Sequence, residues 1–221
     1  MAEAGLRRAT RADLSGLPVD VAPRLLGAVL TTTVRGETVA VRLTEVEAYH
    51  GRGTGSVPDP GSHARMGPTA RNATMWGEPG RLYVYLSHGI HSCVNVVCGP
   101  EGVAGGILLR GGEVIEGADA ATGRRPAARS PRDLARGPGR LGDAVGLRHP
   151  VHDGIDAIAG TPLHGAVARL ALAAEPVADF ASGPRVGVAG VAGGTGFPWR
   201  FWIPGDPTVS PFRWGRGADG T

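Results

Sequence analysis

Two carboxylates and a phenol recur at every second position towards the end of one apolar segment. Glu45, Glu47 and Tyr49 continue the alternation of the apolar residues at positions 39–43, so a β-strand would place all of these side chains on one face. A carboxylate at the end of such a face is partly desolvated and can act as a general base. An aromatic ring beside it can hold a flat, electron-poor ligand. A strand that has simply reached the solvent would show the same residues, and position alone favours this simpler interpretation.

A second segment with chemical potential covers residues 82–91. Tyr83 and Tyr85 would share one face of a strand, and His88 precedes Gly89 at a predicted tight turn. A ring on the tip of a hairpin is suited to wedge into a stack of bases. An ordinary strand with one aromatic face and a surface histidine in its turn is the commoner arrangement, so both interpretations stay open on these residues alone.

Several kinds of chemistry are excluded by what the chain lacks. All 23 basic residues are arginines, so no lysine side chain can form a Schiff base with a substrate. Cys93 and Cys98 match neither a disulfide framework nor a zinc site, and we expect buried, inert thiols. His88 and His91 span a predicted turn without a further ligand nearby, so we expect no metal and no cofactor. No phosphate-binding loop, dinucleotide fingerprint or nucleophile elbow is present.

Length, hydropathy and charge narrow the class of protein further. The 221 residues include 42% hydrophobic residues, which fits one globular domain with a substantial core. There is no apolar run of about 20 residues and no secretory signal, so we expect a cytoplasmic protein without membrane segments. The net charge of +3 permits nucleic-acid binding without requiring it.

Arginine is concentrated between positions 124 and 140. Six arginines fall there, and Asp133 is the only acidic residue among them. A solvated basic loop and a surface that tracks phosphates explain this composition equally well. The sequence Gly-Pro-Gly at 137–139 could expose backbone N–H groups to a phosphate at the start of a helix, which is a weak signal by itself.

The elements that must position these residues are short strands separated by glycine and proline. The two-residue period predicts strands at 29–34, 38–49, 82–86, 93–98, 104–110, 167–172 and 185–188. Short helices are predicted after Asp20, within 68–75 and from Ser130, and residues 51–62 are predicted as a loop. We therefore expect an α+β fold, a single domain with a mainly antiparallel, curved β-sheet, short flanking helices and a protruding β-hairpin. Residues 1–18 are predicted as a loose leader, 19–213 as the domain and 214–221 as a polar tail.

Taken together, these segments resemble the alkyladenine (3-methyladenine) DNA glycosylase family over about residues 19–213. Nine pieces match in the family's order: PRLLG at 23–27, EVEAY at 45–49, SHAR at 62–65, RNATM at 71–75, LYVY at 82–85 with HGIHSCVN at 88–95, GGILLR at 105–110, LARGPGRL at 134–141, GPRVGV at 183–188 and PWRFW at 198–202. No single piece is decisive, but nine pieces in register make coincidence a poor explanation.

The resemblance implies a catalytic role for the carboxylate that position alone left undecided. Glu47 matches the residue that polarises the attacking water, and Arg110 matches the arginine that helps to position this water. Tyr49, His63 and Tyr85 match the aromatic walls that sandwich a flipped base.

The resemblance also implies contacts with the purine edge and with DNA. Asn95 matches the side chain that clashes with the exocyclic amine of normal guanine, and Arg65 and Arg71 match arginines near the DNA. His88 stands where relatives commonly have the tyrosine that fills the hole left by the extruded nucleotide. An imidazole is smaller than a phenol and can take up a proton in mildly acidic solution. Ala70 replaces an expected proline, which affects only how rigidly that turn is held.

The function that the resemblance implies is base-excision DNA repair. A monomeric enzyme would flip alkylated or deaminated purines out of double-stranded DNA and hydrolyse the N-glycosidic bond. Such an enzyme would be associated with the bacterial nucleoid. Without lysine, we expect a monofunctional glycosylase that leaves an abasic site. A module that senses distorted DNA without catalysis would have no use for Glu47 and Arg110. A hydrolase of free nucleosides would not need the arginine-rich segment.

Overall fold

The computed structural model of the chain describes residues 5–51 and 58–218. The strands found in these residues are β1 (Leu6–Arg8), β2 (Val29–Val34), β3 (Glu37–His50), β4 (Leu82–Ser87), β5 (His91–Val97), β6 (Gly105–Glu116), β7 (Ala166–Ala173), β8 (Ala181–Gly183) and β9 (Arg200–Trp202). They form one sheet in the order β1-β7-β2-β3-β6-β5-β4, while β9 pairs with both β3 and β8. Every pairing of these strands is antiparallel.

Short helices accompany this sheet. They are α1 (Pro18–Val21), α2 (Ala118–Arg124) and α3 (Pro138–Val145), with 3-10 turns at Ala12–Leu14, Ala22–Leu25, Ala73–Trp76, Pro131–Asp133 and Gly190–Gly193. The predicted α+β class is therefore confirmed as a single small domain with a mainly antiparallel open sheet. Across the part of the chain described, no helix has both the length and the apolar character needed to cross a membrane.

The main core lies between one face of the sheet and the helices. Leu141, Ala144 and Val145 of α3 pack into it. Gly142 allows this close approach, because a Cβ atom there would clash with the carbonyl oxygen of Ser92 on β5. The helix thus covers one face and leaves the other face of β3 to β6 available for chemistry.

A smaller apolar cluster lies on the opposite face of the same strands. It contains Ala64, Met75, Tyr83, Val97 and Ala104. Tyr83 and Val97 belong to it, whereas their strand neighbours Val84 and Val96 belong to the main core. Because side chains alternate along a strand, the two clusters lie on the two sides of the sheet.

Two of the three irregularities in the register between β3 and β6 decide which side chains share the second face. Leu43 pairs with Gly112 and Glu45 with Gly111, so Thr44 is an extra residue on β3. The next pair joins Val46 to Leu109, so Arg110 is an extra residue on β6. Both have the form of β-bulges, which redirect side chains and recur beside active sites.

The bulge at Thr44 corrects the prediction of one continuous face for positions 39–49. Val41 and Leu43 lie in the main core before the bulge, but Val46 and Ala48 lie in it afterwards. Glu45, Glu47 and Tyr49 therefore face away from the main core. The two-residue period predicts that the carboxylates continue the apolar face of the strand. Instead, they lie on the opposite face.

The amino-terminal segment differs from the predicted loose leader. From Gly5 onward it is packed, because β1 pairs with residues 171–173 of β7 and Leu14 is fully buried. Helix α1 begins at Pro18 instead of being capped by Asp20, since proline at the first helical position needs no partner for a backbone N–H. The pairing partner lies about 165 positions away, so no local pattern reveals it.

The second half of the chain also departs from two predictions. Residues 185–188 are not a strand; the strand β8 ends at Gly183, and Gly187 turns the chain with a φ of 70°. Residues 214–218 are tied to the domain, because the N–H of Gly190 donates to the carbonyl of Arg216 at 3.0 Å. The predicted loop at 51–62 and the predicted tail fall partly on residues 52–57 and 219–221, outside the described residues.

Candidate active site

A row of directly paired residues crosses the second face of the sheet. Tyr83 pairs with Asn95, Asn95 with Leu108, and Leu108 with Glu47. Neighbouring strands lie about 4.8 Å apart, so the Asn95 and Glu47 positions are roughly 10 Å apart with Leu108 between them. A carboxylate and an amide thus flank one shallow region of the sheet.

Glu47 is fully buried and held by three donors. The backbone N–H of Val186 donates to Oε1 at 2.7 Å. The hydroxyl of Tyr49 donates to Oε2 at 2.8 Å, and Nη1 of Arg110 donates to the same oxygen at 3.3 Å. The exposed fraction of Glu47 is 0%, so the solvated strand end that its position favoured is wrong. Both oxygens of the Glu47 carboxylate are therefore held in a fixed orientation.

Arg110 links Glu47 to a second buried carboxylate. Its Nε donates to Oε1 of Glu45 at 3.0 Å, and Nε of Arg200 donates to the same oxygen at 2.7 Å. The backbone N–H of Ser210 donates to Oε2 of Glu45 at 2.7 Å. Two arginines therefore balance two glutamates in a region without solvent.

The charges of this cluster support one another. Burial opposes the charge of Arg110, but Glu47 and Glu45 outweigh it and raise the pKa of the guanidinium above its usual value. Burial likewise opposes the charge of Glu45, while Arg110 and Arg200 lower the pKa of that carboxyl overall. Arg110 is therefore a permanent cation beside Glu47, and its hydrogen bond to Glu45 holds it in place.

Three aromatic side chains near the hairpin contact one another. The ring centroids of His63 and Tyr85 are 4.7 Å apart in an edge-to-face contact, and Tyr83 stacks on Tyr85 at 5.5 Å. Tyr49 lies on the Glu47 side of the site, where burial and then the charge of Glu47 raise the pKa of its phenol well above the usual value. The side chain of Asn95 is fixed by donation from Nδ2 to the carbonyl of Tyr83 at 3.1 Å.

The candidate DNA-contacting residues lie around the hairpin of β4 and β5. His88 and Gly89 have φ values of 50° and 71°, and the N–H of Ile90 donates to the carbonyl of Ser87 at 3.0 Å. Two successive positive φ angles form the tight turn expected at His88, and His88 and Ile90 are exposed at its tip. Arg71 reaches this hairpin through a contact of 3.4 Å from Nη2 to the carbonyl of Leu86.

Arg65 and His63 belong to a loop that is held against the same hairpin. Nη1 of Arg65 donates to the carbonyl of Ser62 at 3.1 Å. The buried Asn72 donates from Nδ2 to the carbonyls of His63 and Gly67 at 2.9 and 3.2 Å. Burial and then the charges of Arg71 and Arg65 lower the pKa of His63, which therefore presents a neutral ring at physiological pH.

Cys93 and Cys98 have the character expected of them. Both are buried free thiols, and burial raises the pKa of each. Within residues 5–51 and 58–218, no group of three histidine, cysteine, aspartate or glutamate side chains is placed to hold a metal ion.

Comparison with known proteins decides the family. Residues 13–207 match the family model of methylpurine-DNA glycosylase. The chain belongs to the methylpurine-DNA glycosylase family. The resemblance drawn from the nine sequence pieces is thereby confirmed, and membership supports a DNA glycosylase that acts in DNA repair.

Curated relatives agree with this family. A protein of Leifsonia xyli subsp. xyli is 52% identical over 199 residues, which cover 88% of each chain. A protein of Nocardia farcinica is 52% identical over 199 residues, covering 89% of this chain and 87% of its own length. A protein of Streptomyces avermitilis is 49% identical over 195 residues, with 88% and 87% covered. The names of all three propose a 3-methyladenine DNA glycosylase.

One buried residue beside the candidate site was not predicted from the sequence. Arg185 is fully buried, and its Nη1 and Nη2 each donate to Asp59 at 2.8 Å. Its guanidinium also donates to the carbonyl of Ala48 at 3.0 Å and lies 4.4 Å from the centroid of the Tyr49 ring. The motif GPRVGV contributed to the resemblance but assigned no role to this arginine. Arg185 therefore packs against the ring of Tyr49, and the backbone N–H of the next residue, Val186, donates to Glu47.

Proposed function

We propose that the protein flips an alkylated or deaminated purine out of duplex DNA and hydrolyses its N-glycosidic bond with a water activated by Glu47. The supporting observation is the buried Glu47, with its three donors and with Arg110 alongside. A solvent-exposed carboxylate would be a weak and poorly positioned base, whereas a buried carboxylate fixed by a network can align one water. A module that only senses distorted DNA gains nothing from two buried carboxylates on its binding face.

In the proposed reaction, Glu47 acts on the sugar. As the bond to the base breaks, the sugar develops oxocarbenium character, which a nearby carboxylate stabilises. Glu47 takes a proton from the attacking water, and the oxygen of that water bonds to the anomeric carbon. The base leaves with the electrons of the broken bond. Arg110 keeps the carboxylate of Glu47 oriented until the proton is transferred.

Recognition is proposed to depend on the aromatic residues around this carboxylate. Tyr49 on one side and His63 with Tyr85 on the other would sandwich the flipped purine. An alkylated purine carries positive charge, which strengthens its stacking on aromatic faces and makes it a better leaving group. Asn95 would meet the edge of the purine and exclude the exocyclic amine of guanine.

The protein is proposed to act as a cytoplasmic monomer without a cofactor, on double-stranded DNA. Extrusion of a nucleotide costs a few kcal/mol, and a lesion that pairs weakly lowers this cost. Because the chain has no lysine, base release would leave an abasic site with the strand intact. Arg65 and Arg71, beside the hairpin, would contact the DNA during this step.

The decisive experiment is base release from a duplex with one 3-methyladenine or hypoxanthine. Glu47→Gln removes the base but keeps the shape of the side chain, so the single-turnover rate should fall by about 100-fold or more. Glu101→Gln, at an exposed loop position, is the matched control and should keep the wild-type rate. A wild-type rate for Glu47→Gln would show that Glu47 is not the base, and nicking of abasic DNA would refute the monofunctional reaction.

The hairpin tip has its own test. If His88 fills the hole left by the extruded nucleotide, His88→Tyr should release base at least as fast as the wild type. His88→Ala should be about tenfold slower. Without a ring in the gap of the base stack, the extruded nucleotide returns to the duplex and the flipped state is less populated. Equal single-turnover rates for all three proteins on one lesion would show that this ring is not a wedge.

A further inference from the structure

Four arginines line one concave pocket away from Glu47. The pocket has a volume of about 600 Å³ and is bordered by Arg125, Arg129, Arg132 and Arg140 together with Ser130 and the single carboxylate of Asp133. This arginine pocket lies where the end of α2, the 3-10 turn at 131–133 and the start of α3 meet. Its border carries three more positive than negative charges.

The segment that carries the arginine pocket is anchored on the main core. Leu134 and Ala135 anchor the 3-10 turn in the main core, and the hydroxyl of Ser130 donates to Oδ2 of Asp133 at 2.7 Å. Nη2 of Arg125 reaches the carbonyl of Asp133 at 3.5 Å. The segment that carries the arginines is therefore held in place before a ligand binds, which lowers the cost of binding.

The cations of the arginine pocket are incompletely compensated. Arg140 approaches Asp133 only at 4.0 Å, and Arg125 approaches Asp143 at 3.7 Å. Arg129 and Arg132 form no ion pair with any residue that the structure describes, and both are exposed. Nε of Arg125 is buried without a hydrogen-bond partner among the described residues. Burial and then the charge of Arg140 lower the pKa of Arg125, which marks a mutual repulsion that a bound anion would relieve.

The arginine pocket is connected to the region that would face DNA. The N–H of Gly137 donates to the carbonyl of Arg110 at 2.8 Å. The start of α3 backs onto the hairpin of β4 and β5, because a Cβ atom on Gly139 would lie 2.8 Å from Cβ of His91. Arg140, the residue after Gly139 on α3, therefore lies close to the hairpin whose tip would meet the DNA.

We propose that the arginine pocket binds a phosphate group and that the backbone of the damaged DNA supplies it, outside the flipped nucleotide. This inference rests on the proposed function for its source of phosphate. Guanidinium groups match phosphate oxygens through paired N–H donors, and several arginines around one anion give both affinity and orientation. The pocket fixes how the duplex lies on the protein without reading its sequence.

The test uses Arg129→Gln/Arg132→Gln, because these two side chains are exposed and form no ion pair with a described residue, so their loss should not affect folding. Binding is measured with a duplex that holds a stable abasic-site analogue, over a range of salt concentrations. Each phosphate contact contributes about 0.9 to the slope of log affinity against log salt, so the double variant should lose about one unit of slope. Its affinity near 0.1 M salt should fall about tenfold.

Two controls separate this effect from general electrostatics and from catalysis. Arg35→Gln removes an exposed arginine at the turn between β2 and β3, at the opposite end of β3 from Glu47, and should leave the slope unchanged. The single-turnover rate of the double variant at saturating protein should equal that of the wild type. If the salt slope of the double variant is unchanged and base release is intact, the proposed phosphate site is wrong and the proposed function stands. If the wild-type protein releases no base, only the proposed function is wrong.

Free phosphate is distinguished by titrating inorganic phosphate and pyrophosphate at constant ionic strength. If DNA is the source, these anions should bind weakly to the wild type and should compete with DNA only at high concentration. Tight pyrophosphate binding that is lost in the double variant, with an unchanged DNA salt slope, would overturn the DNA backbone as the source.

Discussion

At the scale of single residues, the candidate site depends on buried arginines as much as on Glu47. Arg110 lies between two carboxylates, and Arg185 ties Asp59 to the strand that carries Tyr49. A buried charge that loses its partner is costly, since water cannot replace the lost interaction. Each of these arginines therefore fixes a side chain that would contact the substrate, without contacting it.

Arg185 gives the clearest prediction at this scale. Arg185→Met keeps an unbranched side chain but removes the guanidinium and leaves the carboxylate of Asp59 buried without its partner, so the free energy of unfolding should fall by about 3 to 5 kcal/mol. Denaturant unfolding measures this change. Arg185→Met/Asp59→Asn should be more stable than the sum of the two single changes implies. Strict additivity in this cycle would show that the two groups do not stabilise each other.

At the scale of elements, the bulges at Thr44 and Arg110 place the carboxylates and the arginine on one face. The alternation of apolar residues and the turn residues predict β2, β3, β4 and β5 closely, because each depends on local sequence. A bulge depends on the partner strand. The two-residue period alone therefore assigns the residues after Thr44 to the wrong face of the sheet. Arg185 was not predictable for the same reason, since its carboxylate partner lies 126 positions away.

The bulge can be tested through the glycine opposite Glu45. A Cβ atom on Gly111 would lie 2.8 Å from the carbonyl oxygen of Thr208 and 3.3 Å from Oε2 of Glu45. Gly111→Ala should therefore displace the segment at 208–210, destabilise the fold by about 1 to 3 kcal/mol and slow base release.

The control for this change is another glycine with open space around it. Gly123 lies in α2, and nothing lies within 4 Å of the Cβ atom that alanine would add there. Gly123→Ala should leave base release unchanged and stabilise the helix by about 0.5 to 1 kcal/mol. Equal activity and stability for the two variants would show that Gly111 does not maintain the site.

At the scale of the whole molecule, the fold encloses histidines as well as carboxylates. His50 and His152 are buried, and burial lowers the pKa of both rings. Nδ1 of His152 accepts a hydrogen bond of 2.9 Å from the N–H of Arg148, which requires a neutral ring nitrogen. The folded protein therefore resists protonation at positions that the unfolded chain exposes.

This difference sets the response of stability to acid. An unfolded histidine takes up a proton near pH 6.5, whereas the two folded histidines stay neutral to lower pH, so the unfolded state binds more protons. The contribution of these histidines to the free energy of unfolding is fully present above about pH 6.5. It should fall by on the order of 1 kcal/mol for each histidine by pH 5.5. Denaturant unfolding at pH 7.5 and 5.5 measures this loss. His152→Asn, which keeps an acceptor for Arg148, should reduce it by about a third, because the lowered pKa values of His50 and His63 also contribute. His88→Asn at the exposed hairpin tip should leave it unchanged. An equal loss in His152→Asn and the wild type would assign the acid sensitivity to other groups.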